Sequence, residues 1–161
     1  MAQAVTIRPA EAGDVELLDA ALRALSGDLG DTHVATAADL REAGFGPRPA
    51  FRAQIALQGG GAVGVAVFSP LYSTTRGVPG AYVSDLWVAA SARGAGLGQR
   101  LLAAVRDEAR ALWCAGFLRL AVHEDNARAL AFYRVLGFAP HPGETSLLVA
   151  GAALDRIGKP G

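Results

Sequence analysis

The sequence predicts an α/β domain in which a mixed β-sheet is covered by helices on both faces. Three observations support this fold class. Apolar runs with strand character alternate with segments of helical periodicity along most of the chain. Two strand-like runs meet at a glycine-rich turn, as in a β-hairpin. Further along, another strand-like run leads through a glycine-rich loop into a long amphipathic segment, and this alternation is typical of layered sheet-and-helix folds.

The composition limits the class of protein. The chain has 161 residues, of which 52% are apolar, so we expect a single domain over 1–161 with a frayed tail from 155 to 161. The charges of 15 basic and 15 acidic residues cancel. The sequence has no dense basic run, so we do not expect a nucleic-acid partner. We find no targeting segment and no apolar window of 18 residues, so we expect a cytoplasmic protein without membrane contact.

The first third of the chain predicts one strand and two helices. Val5-Thr-Ile-Arg-Pro has strand character, and Asp14 is placed to cap a first helix. The apolar positions of that helix follow helical spacing; they are Val15, Leu18, Leu22 and Leu25. A second, short helix is expected from Ala37 to Ala43, and the glycines and prolines of 44–49 end it.

The middle of the chain predicts three strands. Phe51 to Leu57 and Ala62 to Ser69 form a hairpin around Gln58-Gly-Gly-Gly. After a loop from Tyr72 to Gly80, a third strand is expected from Ala81 to Val88.

The loop Arg93-Gly-Ala-Gly-Leu-Gly, residues 93–98, is the strongest candidate for a binding site. Its three alternating glycines leave backbone N–H groups uncovered, and the helix that follows adds the positive end of its dipole, which suits an anionic diphosphate. Gln99-Arg100 follows where a P-loop needs Lys-Ser/Thr, and the glycine spacing is not that of a dinucleotide fold. The alternative is a loop that merely turns a strand into a helix.

The helix that follows this loop is predicted from apolar residues spaced by four, with Gly116 as its stop. Those apolar residues are Leu97, Leu101, Val105, Ala109 and Trp113. Cys114 is the only cysteine, so no internal disulfide can form, and we expect a packed thiol. Beyond it the sequence predicts a strand at Phe117 to Val122, a helix from Asn126, and final strands at Phe138 and at Ser146 to Ala153.

Three motifs of the second half are found together in one known family. They are Asp85-Leu-Trp-Val, then Arg93-Gly-x-Gly-x-Gly, then Asn126-x-x-Ala129-x-x-Phe132-Tyr133-x-x-x-Gly137-Phe138. In this order and spacing they resemble the GNAT superfamily of acetyl-CoA-dependent N-acetyltransferases. Three further segments look like its spermidine/spermine (diamine) branch: Asp39-Leu-Arg-Glu-Ala-Gly-Phe-Gly, Phe68-Ser-Pro-Leu-Tyr-Ser-Thr-Thr-Arg-Gly and Arg119-Leu-Ala-Val.

The resemblance implies a mostly antiparallel sheet that splays between its two central parallel strands, with acetyl-CoA lying in the splay. It implies no metal and, for the diamine branch, a homodimer. The pantetheine would pair with backbone, and the diphosphate would meet the glycine loop and the start of its helix. The residues implied at the cofactor are Leu86, Trp87, Val88, Arg93, Gly94, Ala95, Gly96, Leu97, Gly98, Gln99, Asn126 and Ala129.

Acetyl transfer to an amine requires a proton acceptor, an oxyanion donor and an acid for the leaving thiolate. An alkylamine of pKa ~10.4 is neutral in only about one of 2,500 molecules at pH 7, a deficit of about 4.6 kcal/mol. The family motif places Tyr133 as the acid, although its spacing also suits a core aromatic residue. Asn126 has a similar alternative, since an asparagine there can serve simply as a helix cap.

The base is the main departure from the diamine branch, which carries a glutamate where this chain has Ser84. We favour Asp85 as the base, although it shares a strand face with Val83 and Trp87 and could be a purely structural carboxylate. The other routes use a water held by Ser84, one of the side chains His123, Glu124 and Asp125, or a substrate amine that arrives less basic.

For the acceptor, the sequence offers acidic residues that could pair with a cationic amine. Asp28, Asp31 and Glu42 are candidates, and Glu124 is a further one, although isolated acids in loops are usually just solvated. The expected activity is acetylation of a primary amine of a small molecule, a polyamine, diamine or amino-acid-like compound, by direct attack in a ternary complex. The alternatives are a non-catalytic acyl-CoA-binding module and a peptide or protein N-terminal acetyltransferase.

Overall fold

The structure is a computed structural model that describes residues 3–158. These residues form two compact units, one ending at His123 and the other beginning at Glu124. The strands are β1 (Thr6–Pro9), β2 (Arg52–Gln58), β3 (Gly61–Ser73), β4 (Val78–Val88) and β5 (Leu118–Leu120). The helices are α1 (Val15–Leu29), α2 (Ala37–Phe45), α3 (Leu97–Trp113), α4 (Ala127–Val135) and α5 (Ala152–Asp155). The second unit holds α4 and α5, and the single-domain expectation stays a prediction.

The five strands form one sheet in the order β1-β2-β3-β4-β5. The first three pairings are antiparallel, and β4 pairs with β5 in parallel. The predicted fold class, a mixed and mostly antiparallel sheet with helices, is therefore confirmed. Parallel pairing covers only Ala81–Val83 against Leu118–Leu120, although β4 continues to Val88. The two parallel strands thus separate after Val83.

Strand β3 is buried on both faces, which makes it the centre of the first unit. Val65 and Val67 belong to a hydrophobic cluster with Val15 and Leu18 of α1. On the opposite face, the Phe68 ring meets the ring of Trp113 on α3 edge to face, with centroids 5.9 Å apart. Helices therefore cover both faces of the sheet, as the sequence predicts.

The start of α1 differs from the expectation. The side chain of Asp14 does not cap α1; instead it accepts two hydrogen bonds from the Arg8 guanidinium, at 2.6 and 2.8 Å, and one from the Glu11 N–H at 2.8 Å. The hydrogen bonds from Arg8 lower the pKa of Asp14. A bidentate ion pair to β1 satisfies this buried carboxylate better than a helix N–H would.

Two connections are shorter or end differently than predicted. The expected loop from Tyr72 to Gly80 is mostly strand, because β3 runs to Ser73 and β4 begins at Val78. Helix α3 ends at Trp113, and its stop is Cys114 rather than Gly116. Cys114 takes the left-handed conformation (φ 56°), and its N–H donates a hydrogen bond to a carbonyl of the last turn. Cys114 is also exposed, so the expectation of a packed thiol was wrong.

The strands predicted at Phe138 and at Ser146 to Ala153 are absent from the described residues. The apolar run at 147–149 has strand character, but a strand also needs a partner along its edge. Here Leu147 and Leu148 are exposed, and part of the predicted second strand is the short helix α5. The strand predicted at Phe117 to Val122 is shorter in the structure and corresponds to β5. The predicted tail begins where α5 ends, and its residues 159–161 lie outside the described range.

Gly64 sets how closely α3 approaches the sheet. A Cβ there would lie 2.8 Å from Cδ1 of the buried Leu101 and 3.2 Å from the carbonyl oxygen of Trp87. We expect Gly64→Ala to lower the free energy of unfolding by about 1–3 kcal/mol, because neither neighbour can move freely. Gly27→Ala is the matched control; nothing lies within 4 Å of its Cβ position in α1, so it should stabilise by about 0.5–1 kcal/mol.

Equilibrium urea unfolding measures both changes. Equal stability of Gly64→Ala and the parent protein would contradict this account of the packing between α3 and β3.

Candidate active site

Beyond Val83, β5 leaves the outer edge of β4 unpaired, and on this edge the Val88 carbonyl accepts a hydrogen bond from the Arg93 side chain. The Ala89 N–H donates to the Val63 carbonyl at 2.9 Å, so these two residues form a hydrogen-bonded pair. Along an antiparallel ladder every second pair is hydrogen-bonded in this way. The register pairs Trp87 with Val65, so the backbone of Trp87 faces β3. The N–H and C=O groups of Leu86 and Val88 then point to the opposite side, where β5 no longer pairs with β4. A ligand with amide groups could pair with this edge.

A β-bulge interrupts β4 at Ser84. Val67 pairs with Asp85 and Phe68 pairs with Val83, so Ser84 is an extra residue on β4. Because paired residues share a face, Val83 lies on the α3 face with Phe68, and Asp85 lies on the α1 face with Val67. The expectation that Asp85 shares a face with both Val83 and Trp87 was therefore wrong for Val83. A regular strand alternates, and the bulge breaks that alternation.

Ser84 and Asp85 interact directly at this bulge. The Ser84 hydroxyl donates to Oδ2 of Asp85 at 2.8 Å, and it lies 3.4 Å from the Val67 carbonyl. Ser84 is exposed and Asp85 is half-buried. The carboxylate is thus oriented by its neighbour and keeps oxygen lone pairs that can accept a proton or a hydrogen bond.

The loop at 93–98 has the backbone geometry of an anion site. Gly94 (φ +82°) and Gly96 (φ +72°) take left-handed conformations, with open space where a Cβ would stand. Gly96 is the N-cap of the 17-residue α3 and has no side chain to cap it. The first helical hydrogen bond runs from Arg100 N–H to Gly96 C=O at 3.1 Å. The N–H groups of 97–99 thus have no helical acceptor, and the helix dipole favours an anion there.

The side chain of Arg93 ties this loop to two other elements. Its Nε donates to the Val88 carbonyl at 2.9 Å, and its Nη2 donates to Oδ2 of Asp28 at 2.7 Å. Asp28 lies in the last turn of α1. The structure therefore brings together a residue predicted at the cofactor and one predicted at the acceptor. The sequence did not reveal this contact, because the two residues are 65 positions apart.

The other predicted acceptor residues lie in different places. Asp31 follows α1, and its Oδ2 is 3.5 Å from Nε2 of His123. Glu42 is exposed on α2. Glu124 is exposed at the start of the second unit. Within the first unit, both Asp28 and Asp31 thus face a cationic or titratable partner.

The second unit presents Asn126 and Tyr133 on α4. Asn126 is the N-cap of the helix, and its side-chain oxygen accepts from the Ala129 N–H at 3.1 Å. The Tyr133 ring packs edge to face with Phe132 and Phe138, at centroid distances of 5.1 and 5.5 Å. Burial raises the pKa of Tyr133. A raised pKa keeps the phenol protonated near neutral pH, as a proton donor requires.

Comparison with known proteins identifies the family. The sequence model of the acetyltransferase (GNAT) family matches residues 16–138. This chain belongs to the GNAT family. It is an N-acetyltransferase, as the named relatives are.

The relatives are similar over most of the chain. A thialysine N-epsilon-acetyltransferase from Sus scrofa is 32% identical over 143 residues, 83% of this chain and 83% of that one. The protein of that name from Mus musculus is 34% identical over 106 residues, 61% of each chain. The thialysine enzyme is a diamine-type acetyltransferase, so the predicted resemblance to that branch is confirmed.

Solved structures agree on the fold. An integron cassette protein from the mobile metagenome of V. cholerae has a TM-score of 0.78 at 20% identity, covering 97% of this chain and 98% of its own. An aminoglycoside N-acetyltransferase solved in complex with CoA has a TM-score of 0.74 at 18% identity, covering 93% and 96%. Within the described residues, no helix is long and apolar enough to cross a membrane.

The cap at Asn126 can be separated from any other role of that side chain. Asn126→Ala removes the acceptor for the Ala129 N–H and should cost about 1 kcal/mol locally. Asn126→Ser keeps a capping oxygen and is the control. Amide hydrogen exchange at Ala129 should be roughly fivefold faster in the alanine variant and nearly unchanged in the serine variant. Equal exchange in all three proteins would show that the cap does not stabilise α4.

Proposed function

We propose that this GNAT enzyme uses acetyl-CoA and transfers the acetyl group to a primary amine of a small molecule, by direct attack in a ternary complex. One observation carries the proposal: the edge of β4 at Leu86 and Val88, which β5 leaves unpaired, lies shortly before the glycine loop at 93–98. A peptide-like edge followed by an anion site matches a ligand that has amide groups at one end and a diphosphate at the other.

The residues of the first unit fit this cosubstrate. The backbone of Leu86 and the N–H of Val88 would bind the pantetheine amides, while the Val88 carbonyl keeps its bond to Arg93. The N–H groups of the glycine loop and of the first turn of α3 would bind the diphosphate. When bound, acetyl-CoA supplies an activated acetyl thioester. In the second unit, Asn126 and Ala129 are further proposed contacts.

For the proton of the amine we propose Asp85 as acceptor, oriented by the Ser84 hydroxyl. The proposed contribution of this carboxylate is to orient the amine and to receive its proton as the new bond forms. Asp28 and Asp31 would attract the cationic acceptor, with Glu42 and Glu124 as further candidates. The ion pair of Asp28 with Arg93 supports a preference of this carboxylate for a cationic partner.

The named relatives support an amine acceptor with a free side-chain amino group. The substrate named for them is thialysine. Two finer features stay predictions: a cytoplasmic location, and the homodimer that the diamine resemblance implies. Solution mass from light scattering tests the dimer.

Thiol release from acetyl-CoA tests the proposed reaction across an amine panel. The panel contains thialysine, diamines, polyamines, an aminoglycoside and a short peptide with a free N-terminus, and a reaction without amine serves as the blank. We expect turnover on small primary amines. Turnover on the peptide alone would replace the small-molecule assignment with N-terminal acetylation, and CoA binding without turnover on any amine would contradict the proposal.

Tyr133→Phe tests the proposed acid. Loss of the hydroxyl should lower turnover by about 10²-fold to 10⁴-fold, with little change in acetyl-CoA affinity. Tyr72→Phe is the matched control, because Tyr72 is exposed on β3. Since burial raises the pKa of Tyr133 above its usual value of 10, loss of the acid should reduce turnover only above about pH 10. Unchanged turnover in Tyr133→Phe would remove this residue from the mechanism.

A further inference from the structure

The carboxylate of Asp28 stands at an electrostatically poor position. It lies in the last turn of α1, where the helix dipole is negative and the turn itself holds no basic residue to balance it. Asp31 adds a second negative charge just beyond the helix. The guanidinium of Arg93 offsets this by binding Oδ2 of Asp28 at 2.7 Å. Without Arg93, Asp28 would be a half-exposed carboxylate that favours any nearby cation.

The guanidinium of Arg93 can change one partner and keep the other. Its Nε is held by the carbonyl of Val88, at the end of β4. Its Nη2 binds Asp28, while about a third of the side chain stays exposed. A guanidinium has five N–H donors in a fixed fork, so the outer end can exchange one anion for another while Nε remains in place. Arg93 is also the first residue of the anion-binding loop.

We propose that Asp28 and the diphosphate of the donor compete for the guanidinium of Arg93, so that donor binding releases Asp28 to receive the cationic amine. This inference rests on the proposed function. A diphosphate carries more negative charge than a carboxylate, and the loop N–H groups bind it at the same time, so it displaces Asp28. The freed carboxylate has no basic residue beside it in the last turn of α1 and takes the ammonium group of the acceptor.

The exchange couples the two substrates. A donor that frees Asp28 raises the affinity for the amine, and the amine raises the affinity for the donor by the same factor. The ion pair between Arg93 and Asp28 is half-exposed, and such pairs contribute little, so the coupling should be about two- to fivefold. If the amine bound before the donor, Asp28 would still be paired with Arg93. This favours an order in which the donor binds first.

Isothermal titration with CoA tests the competition on the free enzyme. Asp28→Asn removes the competitor, so the dissociation constant for CoA should fall by about two- to fivefold. Asp31→Asn is the matched control, because it removes the same charge three residues further on without touching Arg93. In an Arg93→Gln background, which keeps a donor for the Val88 carbonyl, Asp28→Asn should have no effect beyond that of Asp31→Asn.

Pantetheine provides the second arm, because it lacks the diphosphate. Its affinity should be the same for the parent protein and for Asp28→Asn. Equal effects of Asp28→Asn and Asp31→Asn on CoA would overturn the proposal, as would an effect of Asp28→Asn that persists in Arg93→Gln.

The amine that is turned over fastest in the panel completes the test. Its dissociation constant for the parent protein should be about two- to fivefold lower with CoA present, and Asp28→Asn should abolish that difference. An unchanged amine affinity would overturn the coupling even if the competition for Arg93 holds. Failure of the parent protein to bind CoA at all would instead contradict the proposed function, and this inference would fall with it.

Discussion

The strand β4 has two edges that are satisfied very differently, and the candidate site depends on this difference. On one edge, β3 pairs with β4 along its whole length. On the other edge, β5 pairs with only three residues and then diverges. Backbone N–H and C=O groups need partners, so the unpaired stretch that ends at Val88 is a place where a ligand can supply them.

The packing around β3 holds the open edge in position. Both faces of β3 are buried, one against α1 and α2 and the other against α3. The absence of a side chain at Gly64 lets α3 lie close to the sheet, which sets the helix N-terminus next to the end of β4. Arg93 then joins the Val88 carbonyl to the last turn of α1. The candidate anion site at 93–98 is thus supported by a strand and two helices rather than by its loop alone, an arrangement that suits precise binding.

Features with local signals could be predicted from the sequence. Alternating apolar residues around three glycines predicted the β2–β3 hairpin, the loop at 93–98 followed from its glycines, and Asn126 was recognised as a cap. Features that depend on residues far apart in the sequence could not be predicted in this way. The bulge at Ser84 arises from the register with β3, and the ion pair between Arg93 and Asp28 joins residues 65 positions apart. The strands expected at Phe138 and at Ser146 to Ala153 failed for a related reason, since strand propensity does not supply a partner.

The bulge also bears on the missing glutamate. On a regular strand, a carboxylate moved by one residue would point to the opposite face and could not replace the original group. At a bulge, two residues face one partner residue and the alternation is broken, so neighbouring side chains can interact. Here the Ser84 hydroxyl donates to Asp85. Ser84 occupies the position of the glutamate, and it orients the carboxylate of Asp85. The proposed role of Asp85 in proton transfer is therefore compatible with the irregular backbone at this bulge, where Ser84 takes the place of the glutamate.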